Sequence, residues 1–319
     1  MENQNSFKQL RLWLEGKIIG QQKLVERLLI GLLADGHLLV EGAPGLAKTK
    51  AIKCLSEGIQ GDFHRIQFTP DLLPGDVTGT DIYRPEDGSF KFQPGPIFHN
   101  LVLADEINRA PAKVQSALLE AMAERQVSIG RESYDLPEMF LVMATQNPIE
   151  QEGTYPLPEA QLDRFLMHVT VGYPDLEAER DILALARREA RNEPETMPDR
   201  LSLETIIASR QDVLSIHMAP SVDEYIVQLV MATRAPQEYS RELASWIEYG
   251  CSPRATIALD RCSRARAWLQ GRDFVSPDDV QDVIHDIMRH RLILSFEAEA
   301  KGISTDQVID SLLQYIPVI

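Results

Sequence analysis

Cysteine is scarce. The 319-residue chain has three, Cys54, Cys251 and Cys262, none at CxxC spacing. That argues against a zinc site or a disulfide framework and for a reducing compartment. Long apolar runs are also missing. No window reaches the roughly 18 apolar residues of a membrane-crossing helix, and the polar opening MENQNSFKQL lacks the apolar stretch of a secretion signal. The expectation is a cytoplasmic protein without membrane insertion. Basic residues are outnumbered, 32 Lys and Arg against 48 Asp and Glu, for a net charge of -16. Binding nucleic acid broadly needs a basic face, so nucleic acid is disfavoured as a partner. The local basic clusters (Arg187-Arg188, 261–266 and 289–291) read as solvated helix faces or contacts between subunits.

What is present suits a globular protein. Hydrophobic residues make up 44% and charged residues 25%, and the length suffices for two domains. Apolar spacing predicts helices over 7–16 and 24–35, a strand over 37–41, a helix over 48–57 and a strand over 63–68. Asp81-Ile82-Tyr83 and Phe90-Lys91-Phe92 flank the turn PEDG, which signals a hairpin. An apolar strand over 101–104 ends in Asp105-Glu106. A helix over 111–126, a second hairpin over 127–136 around Gly130-Arg131, a strand over 140–145, a helix over 162–165 and a strand over 167–171 follow.

From residue 175 the pattern is helical, with no strand. Helices are expected over 175–193, from the capping box Ser221-x-x-Glu224 through 230, from Ser252-Pro253 to 270, from Ser276-Pro277 to about 291, and after Ser304-x-x-Gln307. Strands that are apolar runs and alternate with helices imply a parallel sheet covered on both faces. The expected division is an α/β nucleotide-binding core over 1–172, with a hairpin insert near 76–96, and a smaller all-α domain over 173–319.

The chemistry starts at 42–49, GAPGLAKT, between a strand and a helix. A loop of this kind cradles phosphates on a helix N-terminus. Ala47 stands where the general pattern has a second glycine; ordinary helix-start angles are expected there. Backbone amides over 45–49 would hold phosphate oxygens, Lys48 would reach the β- and γ-phosphates, and Thr49 would ligate Mg²⁺. Asp105 and Glu106 end an apolar strand at the edge where open α/β sheets bind ligands. Asp105 can position Mg²⁺, and Glu106 can polarise an attacking water. Asn147, closing the 140–145 strand before Pro148, would sit near the terminal phosphate if its strand neighbours that of Asp105. Arg164 and Arg254 are candidate charge stabilisers; Arg254, at the start of a helix in the second domain, could reach back across the cleft.

Together these motifs resemble the AAA+ ATPases and, within them, the MoxR family. The resemblance spans nearly the whole chain: Ile19-Gly20-Gln21, GAPGLAKT, GPIF at 95–98, LADEINRAP at 103–111, QSALLEAM at 115–122, ATQNP at 144–148, LPEAQLDRF at 157–165 and SPRA at 252–255. It implies a P-loop NTPase core followed by a helical lid, with ATP and Mg²⁺ as cofactors. Ile19 and Gly20 would lie against adenine, and Gly42, Ala43, Pro44, Gly45, Leu46, Ala47, Lys48 and Thr49 would wrap the phosphates. Asn147 would be the first sensor, Arg254 the second, in the lid, and Arg164 the arginine finger inserted into a neighbouring subunit. A homo-oligomeric, hexameric ring follows, remodelling or maturing client complexes with a von Willebrand factor A-domain partner. Phe90 and Phe92 either touch a client or pack their hairpin onto the core. The alternatives are the motor subunit of a chelatase-type metal-insertion complex and a nucleotide-gated assembly scaffold; a DNA helicase fits the acidic chain less well.

Overall fold

Leu39, Val102, Ala104, Val142 and Ala144 line one face of a sheet, and Leu38, Val40, Leu101, Leu103, Leu141 and Met143 line the other, all fully buried. This two-sided burial is why the strands read as continuous apolar runs. The computed structural model describes residues 2–86, 88–130, 132–149, 153–191 and 197–318. Asp87, Arg131, Asn192 and Glu193, which belong to expected elements, lie outside the described residues. The chain begins with α1 (Glu2–Lys17) and α2 (Gln22–Leu33), then β1 (Leu38–Gly42), α3 (Lys48–Gly58) and β2 (Phe63–Gln67). A short α4 (Pro74–Thr78) leads into the hairpin β3 (Gly79–Arg84) and β4 (Ser89–Pro94). Next come β5 (Leu101–Asp105), α5 (Ala112–Glu124), the hairpin β6 (Gln126–Ile129) and β7 (Glu132–Asp135), β8 (Leu141–Gln146), α6 (Glu159–Leu162) and β9 (Met167–Val171).

The central sheet has the order β2-β5-β8-β1-β9 and is parallel throughout. Asp105 and Asn147 therefore end up beside the loop after β1, because β8 lies between β1 and β5. The two hairpins touch each other: Phe92 stacks on Tyr134 with ring centroids 4.0 Å apart and meets Phe98 edge-on. Phe92 thus packs inward, whereas Phe90 stays exposed beside Tyr83.

The helical part comprises α7 (Leu176–Ala190), α8 (Leu203–Leu214), α9 (Pro220–Arg234), α10 (Arg241–Trp246), β10 (Ile247–Tyr249), α11 (Pro253–Leu269), α12 (Pro277–Met288), β11 (Ile293–Leu294), α13 (Phe296–Ala300) and α14 (Thr305–Tyr315). Several expectations need correction here. The lid holds a small antiparallel ribbon, β10 with β11, too short to leave an alternation in the sequence. α8, capped by the Ser202 hydroxyl accepting from the Thr205 amide, was not anticipated. α9 starts at Pro220, one residue before Ser221, and has no side-chain cap; proline pre-sets the first helical φ, so the Ser221 box is not needed. α12 stops at Met288, which frees residues 289–291 to dock on the core. The helix expected over 162–165 instead occupies Glu159–Leu162, and the chain then turns so that the Leu166 amide reaches the His37 carbonyl at 2.8 Å.

Core and lid share one apolar cluster, in which Phe7 of α1 meets Trp268 of α11 edge-on. They are also joined by buried charge. Arg27 of α2, only 1% exposed, pairs with Asp286 of α12 at 2.9 Å. Arg289 donates to the His168 carbonyl of β9 at 2.6 Å and pairs with Asp286 at 3.0 Å.

Candidate functional site

β1 delivers its last residue, Gly42, against β9 so closely that a Cβ there would lie 2.7 Å from the Val171 carbonyl oxygen. The chain then winds through two left-handed positions, Gly45 with φ +82 and Ala47 with φ 58 and ψ 15, before α3 begins at Lys48. Alternating handedness of this kind turns successive amides inward and makes a nest for anions. The ordinary backbone expected at Ala47 is thereby corrected: the position needs left-handed angles, which is why glycine suits it, and alanine adopts them at a cost of roughly 1–2 kcal/mol.

The Lys48 ammonium folds back onto the carbonyls of Gly42, Ala43 and Gln146. Burial lowers its pKa below the usual lysine value, against the pull of Asp105, Glu106 and Glu41. The loop, Asp105, Glu106, Thr145 and Asn147 enclose a cavity of about 330 Å³. Within it the Thr49 hydroxyl lies 3.5 Å from Asp105 Oδ2. Those two oxygens alone cannot complete the shell of a divalent cation; phosphate oxygens and water would supply the rest.

Asp105 is held by two side chains through three hydrogen bonds. The Thr145 hydroxyl donates to Oδ1 at 2.6 Å, and Arg65 donates to Oδ2 through Nε at 3.0 Å and Nη2 at 2.7 Å. Glu106 is left-handed, with φ 58 and ψ 50, an uncommon conformation for a non-glycine residue and one that accumulates at functional sites. Its amide donates to Thr145 Oγ1 at 2.9 Å, and its Oε2 accepts from Gln67 at 2.9 Å and Arg109 at 3.1 Å. Asn147 is 6% exposed. Its side-chain oxygen accepts from the Ile149 amide at 3.1 Å, while its buried Nδ2 finds no acceptor among the described residues. A donor left unsatisfied at the wall of this cavity fits a site built for a phosphate or its attacking water.

The expected adenine-side residues reach the same edge indirectly. Gln21 Nε2 donates to the Gly172 carbonyl at 2.9 Å, and a Cβ at Gly20 would meet Pro174 and Ala178 at 3.0 Å. Ile19 and Gly20 are therefore carried beside the end of β9, next to Gly42.

Arg164 and Arg254 are not brought to this cavity. They line a different one, of about 310 Å³, with Arg125, Asp163, Arg261 and Arg291. Arg164 donates to the Leu119 carbonyl at 2.7 Å. Arg254, with 51% of its side chain exposed, lies 4.0 Å from the Asp163 carboxylate. This cavity also takes in Gly36 and His37, which precede β1, whereas the phosphate loop follows it. At about 3.3 Å per residue, the five residues of β1 put roughly 16 Å between the two. With the lid docked as it is, Arg254 stands away from its own chain's phosphate loop.

Comparison with known proteins agrees with the geometry. The model for the ATPase family associated with various cellular activities (AAA) matches residues 37–167, and that for the AAA lid domain matches 241–312. Chaperone MoxR1 of Mycobacterium tuberculosis is 49% identical over 303 residues, 94% of this chain and 78% of that protein. The chain belongs to the MoxR family of AAA+ ATPases. It is an ATP-hydrolysing enzyme with an α/β core and a helical lid. Protein MoxR of Paracoccus denitrificans is 34% identical over 332 residues, 98% of this chain and 96% of that one. A crystal structure of a Cytophaga hutchinsonii protein superposes with a TM-score of 0.91 at 47% identity, covering 100% of this chain and 96% of that chain.

Sequence reasoning passed over four polar residues in this MoxR-family site: Arg65, Gln67, Thr145 and Arg109. The alternation of β2 puts Arg65 and Gln67 on one face, which was legible. That the face meets Asp105 follows only from the register, in which Gln67 stands opposite Asp105. Among the described residues no helix is long and apolar enough to cross a membrane.

Proposed function

We propose that this ATPase works as a homo-oligomeric ring, a hexamer on family resemblance, with each nucleotide held between two subunits. One observation carries the proposal: Arg164 and Arg254 share a cavity at the edge of the sheet opposite their own phosphate loop. A guanidinium that stabilises a phosphoryl transition state must touch the transferred oxygens. From where they stand, these two serve the loop of a second copy.

Around each nucleotide the loop amides and Lys48 hold the phosphates. Lys48 exchanges its carbonyl partners for phosphate oxygens, a trade between acceptors that keeps the buried ammonium satisfied. Thr49 and Asp105 would hold Mg²⁺, which would supply charge neutralisation at the phosphates. Glu106 orients and polarises the attacking water once Gln67 and Arg109 release it, and Asn147 offers its unused Nδ2 donor. Arg164 and Arg254 arrive from the neighbour. The work done is remodelling or maturation of partner protein complexes, with a von Willebrand factor A-domain protein as co-factor. Support for that part is the family resemblance and the description of the Mycobacterium tuberculosis relative as a chaperone.

The test is subunit mixing. Arg164→Ala and Glu106→Gln proteins are each expected to bind ATP and hydrolyse little. Mixed rings contain interfaces with an intact Glu106 on one side and an intact Arg164 on the other, so phosphate release should recover. Absence of recovery in rings shown to contain both proteins would sink the shared-site reading. A pull-down with Glu106→Gln, which stays nucleotide-bound, would identify the client.

A further inference from the structure

Arg65 has no counterpart among the roles above. Half of its side chain is exposed, 50%, yet both Nε and Nη2 are aimed at one oxygen, Asp105 Oδ2, at 3.0 and 2.7 Å. That is also the oxygen facing the Thr49 hydroxyl. The other oxygen, Oδ1, is occupied by the Thr145 hydroxyl. A positive group therefore already sits on the side of Asp105 where a divalent cation would be held. Arg65 Nη2 makes a second bond, to Gln67 Oε1 at 2.7 Å, and Gln67 Nε2 continues to Glu106 Oε2 at 2.9 Å. Four side chains thus form one unbroken line: Asp105, Arg65, Gln67, Glu106.

We propose that Arg65 is the resident counter-ion of the metal-side carboxylate, given up when the metal–nucleotide complex arrives. The proposal rests on the reading of Thr49 and Asp105 as the metal side. Two cations cannot share Oδ2 without repulsion, so a hydrated divalent ion held there would displace the guanidinium. Arg65 has solvent to swing into. The arrangement keeps Asp105 neutralised while the site has no metal and sets the metal concentration at which the site fills. Arg65 is in these terms a positioning residue, acting through Asp105 rather than on the nucleotide.

The experiment follows binding of a fluorescent, non-hydrolysable ATP analogue by the full chain as Mg²⁺ is titrated, with melting temperature measured alongside. Arg65→Ala removes the competitor, so half-saturation should fall to lower Mg²⁺ by about three- to fivefold, the scale of a partly exposed ion pair. Binding of the analogue without metal should stay as in the wild type. Gln67→Ala removes the second partner of Arg65 but not its charge, so it should leave the Mg²⁺ half-saturation unmoved. Should Arg65→Ala lower the melting temperature, Arg65→Gln, uncharged but able to donate one hydrogen bond, is read in the same titration with the same expectation. An unchanged or raised half-saturation in either variant overturns the proposal. Asp105→Asn separates the two levels of failure. If the Mg²⁺ response survives Asp105→Asn, the metal-side reading fails and the exchange falls with it. If Asp105→Asn abolishes the response and the Arg65 variants leave it unmoved, only the exchange is wrong.

Discussion

The Ser252 hydroxyl lies 3.0 and 2.9 Å from the two carboxylate oxygens of Asp163. Ser252 is the N-cap of α11, whose second residue is Arg254, and Asp163 directly precedes Arg164. One contact thus ties together the segments that carry both arginines. Asp163 also accepts from Arg291 Nε at 2.8 Å, and that guanidinium, 2% exposed, donates to the Phe165 carbonyl at 2.6 Å.

The two arginines beside Asp163 should respond to removal in different ways. Arg254→Ala is expected to keep the melting temperature within a degree or two, because an exposed ion pair contributes about 0–1 kcal/mol, while ATP turnover falls by about 10²- to 10³-fold. Arg291→Ala leaves Asp163 without its buried partner and strips donors from the core carbonyls, so it should destabilise by about 3–5 kcal/mol. Denaturant unfolding beside phosphate release separates the two. Equal loss of stability in both variants would show Arg254 to be a structural residue.

The contrast marks what the sequence could convey. GAPGLAKT and Asp105-Glu106 were legible because each is local: an apolar strand, a turn and a charged end stand next to one another in the chain. Asn147 needed one further step, the assumption that its strand neighbours β5, and the observed pairing of β5 with β8 supplies it. The position of Arg254 was not legible. Its helix and cap were read correctly, but no local pattern says against which edge of the sheet a lid will dock. That is decided by remote contacts such as Arg27 with Asp286 and Arg291 with Asp163. Arg65 stayed hidden for the same reason, since its role comes from register. Ala47 shows the opposite failure: a local backbone requirement was underestimated because the residue found there does not announce it.

Ala47→Gly tests that backbone requirement directly. Glycine visits left-handed angles without the Cβ clash, so the variant should be more stable than the wild type by about 0.5–1 kcal/mol, after the extra chain entropy of glycine is offset. Ala47→Val adds branching at the same angles and should destabilise by about 1–2 kcal/mol. Both are read from urea unfolding without nucleotide. A stabilising Ala47→Val would mean that the loop is not left-handed at this position in solution.

His37 gives the fold a pH dependence with a definite sign. Burial pushes its pKa down to about 4, reinforced by the nearby Arg125 charge. The ring stays neutral, with Nδ1 accepting from the Val142 amide at 3.0 Å and Nε2 facing the Met122 carbonyl at 3.3 Å. In the unfolded chain histidine takes up its proton near pH 6.5. Between about pH 4 and 6.5 the unfolded state therefore binds more protons, and stability rises with pH across that window, by up to about 3 kcal/mol. His37→Gln should flatten this part of the profile. Melting temperatures that do not change between pH 4.5 and 6.5 in the wild type would contradict the assignment.

Asp286 acts in the same direction at lower pH, and it bears on whether core and lid of one chain move apart. Burial alone would raise its pKa, but Arg27, Lys23 and Arg289 hold it below the usual carboxylate value. Its contribution is present above the unfolded aspartate value near 4 and disappears as pH falls through that value toward the folded one. Asp286→Asn keeps the shape and removes the charge, which leaves Arg27 buried with fewer partners, so it should cost about 3–5 kcal/mol at pH 7 and progressively less as pH falls below about 4. The same pair spans α2 of the core and α12 of the lid. If the pair stays closed through the ATPase cycle, a Cys pair placed across this contact and oxidised should leave turnover largely intact. Loss of turnover on oxidation, reversed by reductant, would instead show that the lid must leave its own core for each round of hydrolysis.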